Sequence, residues 1–518
     1  MWPARRILKY ATVVGTLTGT AFSLHANQYN IDSIGAVRLG RAASTVLKIS
    51  YLYKTELYSS NLPRDTPEFL ELKSKVHRKA AENLLELCCA NRGVFVKVGQ
   101  HIGALEYILP HEYVETMKVL HSQAPTSSFE EIQRVLRQDL KCDPKEIFEE
   151  FSPTPLGAAS LAQVHKAKLK DGTTVAVKVQ HPYIKGNSTV DMTTMEALVK
   201  LVEIVFPDFR FQWLVTEMKR NIPMELNFLQ EAENAEKASK MFHHFPWLKV
   251  PKVYWDLSNH RVLTMEYVEG GQVNDLPYIQ ENKIDPYEVS HKLGCLYSQM
   301  IFGEGFVHSD PHPGNILVKK NKQSNKVEVI LLDHGLYADL TNQFRWEYSK
   351  LWLSILNSDI DGMKTHSQNL GVGEMWPLFA CMVSGRTWNT IMSGVDKVNF
   401  TDSEKNEFQK EIPKYLPQIT GVLQDVDRQM LLIFRTNDLM RGIEHTLKTH
   451  ARMSSFLVMS RWCVRSVFNE QLKDCDNRIR RWCLKVAQQW TLLKISIYYA
   501  YMSVCSLSLS SMWQVMTS

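Results

Sequence analysis

Gly305-Phe-Val-His-Ser-Asp-Pro-His-Pro-Gly-Asn-Ile-Leu-Val318, followed thirteen residues later by Leu331-Leu-Asp-His-Gly335, carries most of the information in this chain. It places Asp310 and Asn315 five residues apart on a polar loop. A mostly hydrophobic run, Val327 to Leu332, then ends in a second carboxylate, Asp333, ahead of His334 and Gly335. Phosphoryl transfer from ATP needs this set. One carboxylate accepts or orients the nucleophile's proton, and an amide oxygen with a second carboxylate holds Mg²⁺. Asp333 at a strand end gives the metal a fixed ligand, and Gly335 allows a tight turn. An Asp-Pro-His-Pro-Gly by itself is an ordinary turn; the ordered pair is much harder to obtain by chance.

Upstream residues complete the pattern. Asp171-Gly172 predicts a hairpin turn, and Thr173-Thr-Val-Ala-Val-Lys-Val179 a strand of β-branched residues. Its single charge, Lys178, stands in the frame Val-Ala-Val-Lys, where a kinase places its phosphate-binding lysine. A strand lysine ordinarily snorkels to water, so the functional reading needs a helical glutamate to orient it. Glu231 in Leu229-Gln-Glu-Ala-Glu-Asn234 is the candidate, with Glu233 the alternative. Pro155-Leu-Gly-Ala-Ala-Ser-Leu-Ala-Gln-Val-His165 lies where a glycine-rich phosphate loop would be, but is alanine-rich. Small side chains still let backbone N–H groups approach phosphate, whereas alanine avoids the positive φ that glycine adopts. A stiffer loop of different shape is expected. Arg261-Val-Leu-Thr-Met-Glu-Tyr-Val-Glu-Gly-Gly271 predicts a strand leading to a hinge, whose backbone around Glu266 to Val268 would meet adenine with Met265 behind.

Together these residues resemble the UbiB-type atypical kinases, the AarF-domain-containing family of bacteria, mitochondria and plastids, and the mitochondrial members most. The likeness covers roughly residues 90 to 350 and includes that family's own signature, Lys97-Val-Gly-Gln100. The resemblance implies an α+β, atypical bilobal kinase-like fold with a helical N-terminal extension and a helix-rich C-terminal lobe. It implies that Lys178 holds the α/β-phosphates with Glu231 as its ion-pair partner, and that Asp310 is the catalytic aspartate. Asn315 and Asp333 are then the Mg²⁺ ligands, and Ala158, Ala159 and Ser160 cover the phosphates of ATP. Lys97 and Gln100 are implied to project where an ordinary kinase receives its peptide, with Glu225 as the partner of Lys97. The bland alternative is a helix-packing site at which Gly99 permits close approach. Two departures stand out. The family writes Glu-x-Asp where this chain has Glu225-Leu-Asn227, which removes one negative charge. The metal position reads Asp-His-Gly rather than Asp-Phe-Gly, so His334 either packs as phenylalanine would or titrates near neutral pH.

The 518 residues, 44% hydrophobic, suffice for one bilobal core with flanking helices. A net charge of +5 permits attraction to anionic membrane, and no dense basic stripe argues for nucleic acid. The nine cysteines lack Cys-x-x-Cys spacing, so buried reduced thiols are expected rather than zinc or disulfides. Residues 1–31 contain Arg5, Arg6 and Lys9 and no acid, which suits a mitochondrial targeting segment. The same basic-then-apolar order also matches a secretory signal, and the sequons at Asn187 and Asn399 do not decide between them. Further boundaries are a helical extension over 35–130, a small lobe over 131–270, a helical large lobe over 271–475 and a basic-flanked hydrophobic tail over 476–518. Helix is expected to resume by about Asn342, leaving no long activation segment. Arg478, Arg480, Arg481, Lys485 and Lys494 precede the uncharged stretch from Ile495, which suits a spanning, an interfacial or a docked helix.

The expected function is an ATP- and Mg²⁺-dependent kinase or ATPase supporting mitochondrial membrane, lipid or isoprenoid-quinone homeostasis. The alternative is a catalytically weak nucleotide-binding scaffold that organises mitochondrial membrane proteins. Membrane and lipids are the expected partners; acceptor and oligomeric state are left open.

Overall fold

In a computed structural model, the described residues are 33–517 apart from 65, 106–108, 123, 208, 210, 386, 394–421, 423–425, 450–454 and 474. The proposed targeting segment, 1–31, and the second sequon lie outside them. The chain divides into two compact units, residues 1–229 with 254–267, and residues 230–253 with 268–518.

The first unit begins with helices. Gly35–Leu52, Pro67–Asn91, Val94–Gly103 and His111–Ser122 follow one another. Thr66 caps the second, accepting from the Phe69 N–H at 3.3 Å, and Pro67 fills the first helical position, where its missing N–H is harmless. Gly35–Leu52 is locked to helix Ile184–Val205 by a buried pair in which Arg38 Nε donates to Asp191 Oδ1 at 2.7 Å. Burial pushes the Asp191 carboxyl up, and the guanidinium opposes that shift. Helix Phe129–Leu140 starts from a capping box between Ser128 and Glu131 and packs on the following sheet.

That sheet is antiparallel and five-stranded. Its members are β1 (Phe148–Phe151), β2 (Gly157–Ala158), β3 (Ala162–Leu169), β4 (Thr174–Gln180) and β6 (Val262–Glu266), in the order β1-β3-β4-β6 with β2 on β3. The turn between β3 and β4 is the expected Asp-Gly hairpin, with Gly172 at φ 86° and Asp171 Oδ1 accepting from the Thr173 N–H. Val175, Val177 and Val179 fill one face of β4, buried against Ile132 and Leu136.

In the second unit a four-stranded sheet runs β5 (Leu248–Lys249), β10 (Val327–Leu331), β9 (Ile316–Lys320), β7 (Gly271–Gln272). A ribbon pairs β8 (Phe306–His308) with β11 (Tyr337–Asp339). Helices Pro286–Ser298, Asn342–Leu356, Arg428–Thr446 and Ser455–Lys473 enclose a core that includes Phe302, Tyr348, Trp352 and Phe379. Helix does resume at Asn342, capped by Thr341. Helix Arg478–Thr517 closes the described chain, and among the described residues no helix is long and apolar enough to cross a membrane. Expected buried thiols are found at Cys88, Cys381, Cys463 and Cys475, but Cys89 and Cys483 are exposed.

Candidate functional site

The second unit assembles its polar loop between two sheets. A π-helical turn, Gln299–Glu304, ends at Gly305, whose φ of 74° an L side chain resists. A Cβ there would stand 3.1 Å from the Leu340 carbonyl, which confirms that the turn is built for glycine. β8 then delivers His308, Ser309 and Asp310, and a short 3₁₀ turn, Pro313–Asn315, leads into β9.

Hydrogen bonds fix the candidate residues to one another. The Asn315 side-chain amide donates to the Asp310 carbonyl at 3.1 Å, while its own backbone carbonyl accepts from the Leu332 N–H at 3.0 Å. Asp333 Oδ1 accepts from the Gly335 N–H at 2.9 Å. Asp310, Asn315 and Asp333 are thus tied through the backbone that carries them. The Asn315 amide oxygen and the Asp333 carboxylate are hard oxygen donors. That donor set suits Mg²⁺, which takes one or two protein oxygens and completes its shell from phosphate and water. Among the described residues no cluster of three or more His, Cys, Asp or Glu side chains could hold a metal by itself.

His308 opens the His-x-Asp stretch of the motif, and its role, which the motif alone does not give, is to hold backbone. Its Nε2–H donates to the Asp333 carbonyl at 2.6 Å, and the Tyr297 hydroxyl donates to Nδ1 at 3.2 Å. Burial holds the imidazole pKa below its ordinary value, which keeps this neutral tautomer, and burial likewise raises the Tyr297 phenol well above its own. His334 packs: it is buried and stacked parallel on Tyr337, whose hydroxyl lies 2.9 Å from Nδ1, and its Nε2–H donates to the Leu331 carbonyl. Asn234 donates to the His334 carbonyl at 3.0 Å. Arg435, on helix Arg428–Thr446, sets Nη2 3.0 Å from Asp310 Oδ1, both side chains about four-fifths buried. It lies 125 residues beyond its partner, and no local signal announced it.

The first unit holds most of the other candidates. Lys178 is buried on β4, opposite Val164 and Leu263, with its ammonium 5.2 Å from the Phe228 ring centre. Glu266 ends β6 opposite Val175, while Val268 and the buried Glu231 belong to the second unit. Ala158 pairs with Gln163 in the β2–β3 ribbon, and none of residues 157–160 has positive φ, so alanine is no obstacle there. A buried network braces this loop. His181 Nε2–H donates to the Ala159 carbonyl at 3.1 Å, the Ser127 hydroxyl donates to its Nδ1 at 2.8 Å, and Gln163 bonds the Ser127 backbone in both directions. Ser160 is buried beside it.

Lys97 and Glu225 meet as expected, at 2.6 Å with side chains 10% and 11% exposed. Gln100 donates to the Leu120 carbonyl at 3.0 Å, binding its helix to His111–Ser122. A Cβ on Gly99 would fall 2.3 Å from a Leu120 methyl, so the packing role of this motif is present together with the ion pair. Asn227 Oδ1 bonds His260 at 2.9 Å.

Residues 119–367 match the model of the ABC1 atypical kinase-like domain. The AarF domain-containing kinase 1 of Drosophila melanogaster is 55% identical over 504 residues, covering 96% of this chain and 97% of that one. This chain belongs to the AarF domain-containing, or ABC1, family of atypical kinases. Other members are also similar to it over most of their length. The AarF domain-containing protein kinase 1 of Mus musculus is 49% identical over 98% of this chain and 97% of its own. The ABC1 family protein MCP2 of Saccharomyces cerevisiae is 34% identical over 93% and 88%. Kinase-type chemistry is the family's coarse assignment, and the α+β kinase-like fold agrees with it.

Proposed function

We propose that this chain is an ATP- and Mg²⁺-dependent atypical kinase or ATPase that serves lipid or isoprenoid-quinone homeostasis at the mitochondrial membrane. The observation that carries the chemical part is the hydrogen-bonded set Asp310, Asn315 and Asp333. Lys178, an ammonium buried on a strand, supplies fixed positive charge for phosphates. The braced loop at Ala158, Ala159 and Ser160 would cover them with small side chains, its Ala159 N–H donating to the Ala162 carbonyl at 2.7 Å. Asp310 takes or orients the proton of an acceptor hydroxyl or a water. Asn315 and Asp333 would hold the magnesium, which when bound neutralises phosphate charge. His308 keeps the Asp333 backbone in place while this happens. The mitochondrial setting rests on the basic, acid-free first 31 residues and on the family resemblance.

The test is ligand linkage. Mg-ATP or Mg-ADP at about 100 times Kd should stabilise the protein by roughly 2.7 kcal/mol. Asp333→Ala should remove most of the magnesium-dependent part. A melting temperature indifferent to millimolar Mg-ATP sinks the reading. One observation favours a second reading, a nucleotide-binding scaffold: Arg435 already occupies an oxygen of Asp310. Full nucleotide-linked stabilisation without turnover, in the presence of membranes, would select it.

A further inference from the structure

Over residues 478–497, helix Arg478–Thr517 has two opposite sides of different exposure. One side faces its own unit. Leu484, Gln488, Thr491, Leu492 and Ile495 are wholly or partly buried, Gln488 donating to Asn469 and Ser496 accepting from Arg461 on helix Ser455–Lys473. The other side stands open. Ile479, Trp482, Val486, Trp490, Leu493 and Ile497 are 76%, 67%, 47%, 59%, 47% and 60% exposed. Their spacing is three or four residues throughout, so at 3.6 residues per turn they fall within an arc of about 80° and run for about 27 Å. Isolated exposed apolar residues are ordinary; a continuous stripe with two tryptophans is not.

Charge selects the occupant. Arg478, Arg481 and Lys485 border the stripe on one side, Arg480 and Lys494 on the other, all exposed, and the helix contains no acid. Two copies laid stripe to stripe would set five cations against five. A surface that is negative, laterally continuous and apolar a few ångströms down meets every requirement, and tryptophan favours that boundary.

We propose that residues 478–497 form an in-plane membrane helix that docks the second unit on anionic phospholipid, its tryptophans at the headgroup level. This deepens the membrane setting proposed above and does not depend on phosphoryl transfer. It lies on the basic stretch itself, ahead of the uncharged tail to which the sequence pointed.

The test is sedimentation of the full chain, without nucleotide, with vesicles of phosphatidylcholine mixed about three to one with phosphatidylserine. Wild type should bind, weaken with salt, and bind pure phosphatidylcholine far less. Trp482→Glu with Trp490→Glu should lose about ten-fold or more of that affinity. Trp482→Leu with Trp490→Leu should retain it. Reversing Arg480, Arg481 and Lys485 to Glu should cost at least about five-fold per cation. All variants should keep the wild-type nucleotide-linked melting shift, whatever its size, so failure here is distinct from failure of the ATP reading. Equal sedimentation of the double-glutamate variant would overturn the proposal. So would a lack of vesicle binding by wild type, or lipid-free self-association of wild type that the double-glutamate variant abolishes.

Discussion

Replacing Lys97 by Met is expected to destabilise the first unit by roughly 3–5 kcal/mol, because it strips a buried carboxylate of its counter-charge. The pair is 2.6 Å apart and about nine-tenths buried at both ends, so water can do little to relieve whichever charge is left behind. Glu225→Met should cost a similar amount, by leaving the ammonium. The double variant should regain most of the loss, since two well-packed apolar chains avoid both desolvation penalties. The expected coupling is therefore large, about 2 kcal/mol or more of non-additivity. For a unit of this size each kcal/mol moves the midpoint by about 2–4 °C, so each single variant should melt roughly 6–20 °C lower. Urea unfolding and thermal melts of the four proteins close the cycle. Single losses below about 1 kcal/mol, or a double variant equal to the sum of the singles, would refute the argument that this is a buried, mutually dependent pair.

Gly99→Ala should destabilise by about 1–3 kcal/mol, because its methyl would overlap a Leu120 methyl; urea unfolding checks this, and a neutral result means the helices separate freely. Burial lowers the pKa of His77, His165, His181, His291 and His308, so the unfolded chain binds protons that the native chain refuses. Their contribution is complete above the unfolded value of about 6.5 and is lost as pH falls below it, so unfolding free energy should decline from pH ~7 to ~5.5; a flat or rising profile contradicts this. Arg435→Met should leave nucleotide-linked melting intact while changing turnover, since the guanidinium contacts Asp310 rather than the proposed metal ligands. Unchanged turnover, with binding preserved, would make Arg435 merely structural.

That Asp310, Asn315 and Asp333 lie on adjoining loops was legible, because the phosphoryl-transfer chemistry proposed for them demands particular side chains at fixed separations. The Asp-Gly hairpin and the valine-rich strand were legible for a similar reason, as φ and the period of two are local properties. The strand itself is displaced by one residue, Thr174–Gln180 against the expected Thr173–Val179, because ladder pairing with β3, from Lys168 opposite Thr174 to Ala162 opposite Gln180, sets its ends. What could not be read is what bonds to backbone carbonyls. His308, His181 and Asn234 each meet a main-chain oxygen, and any histidine or asparagine can do that without leaving a pattern. Arg435 was invisible because only the folded helix brings it to Asp310. For Lys97-Val-Gly-Gln100, the ion pair and the close-packing alternative both hold, since Lys97 and Gly99 point from one helix toward different neighbours.

The chain leaves the first unit at 229, returns for residues 254–267, and departs again, so no contiguous stretch of gene encodes either unit. A fragment ending at 229 would lack β6 and leave the edge of β4, with its valines, open to pairing with any other strand, an aggregation hazard. A fragment beginning at 268 would lack β5 and the parallel ladder it gives β10. Recombination therefore cannot exchange one unit between relatives by a single crossover, and a protease that nicks the chain near 253 should yield two pieces that stay threaded together rather than two domains.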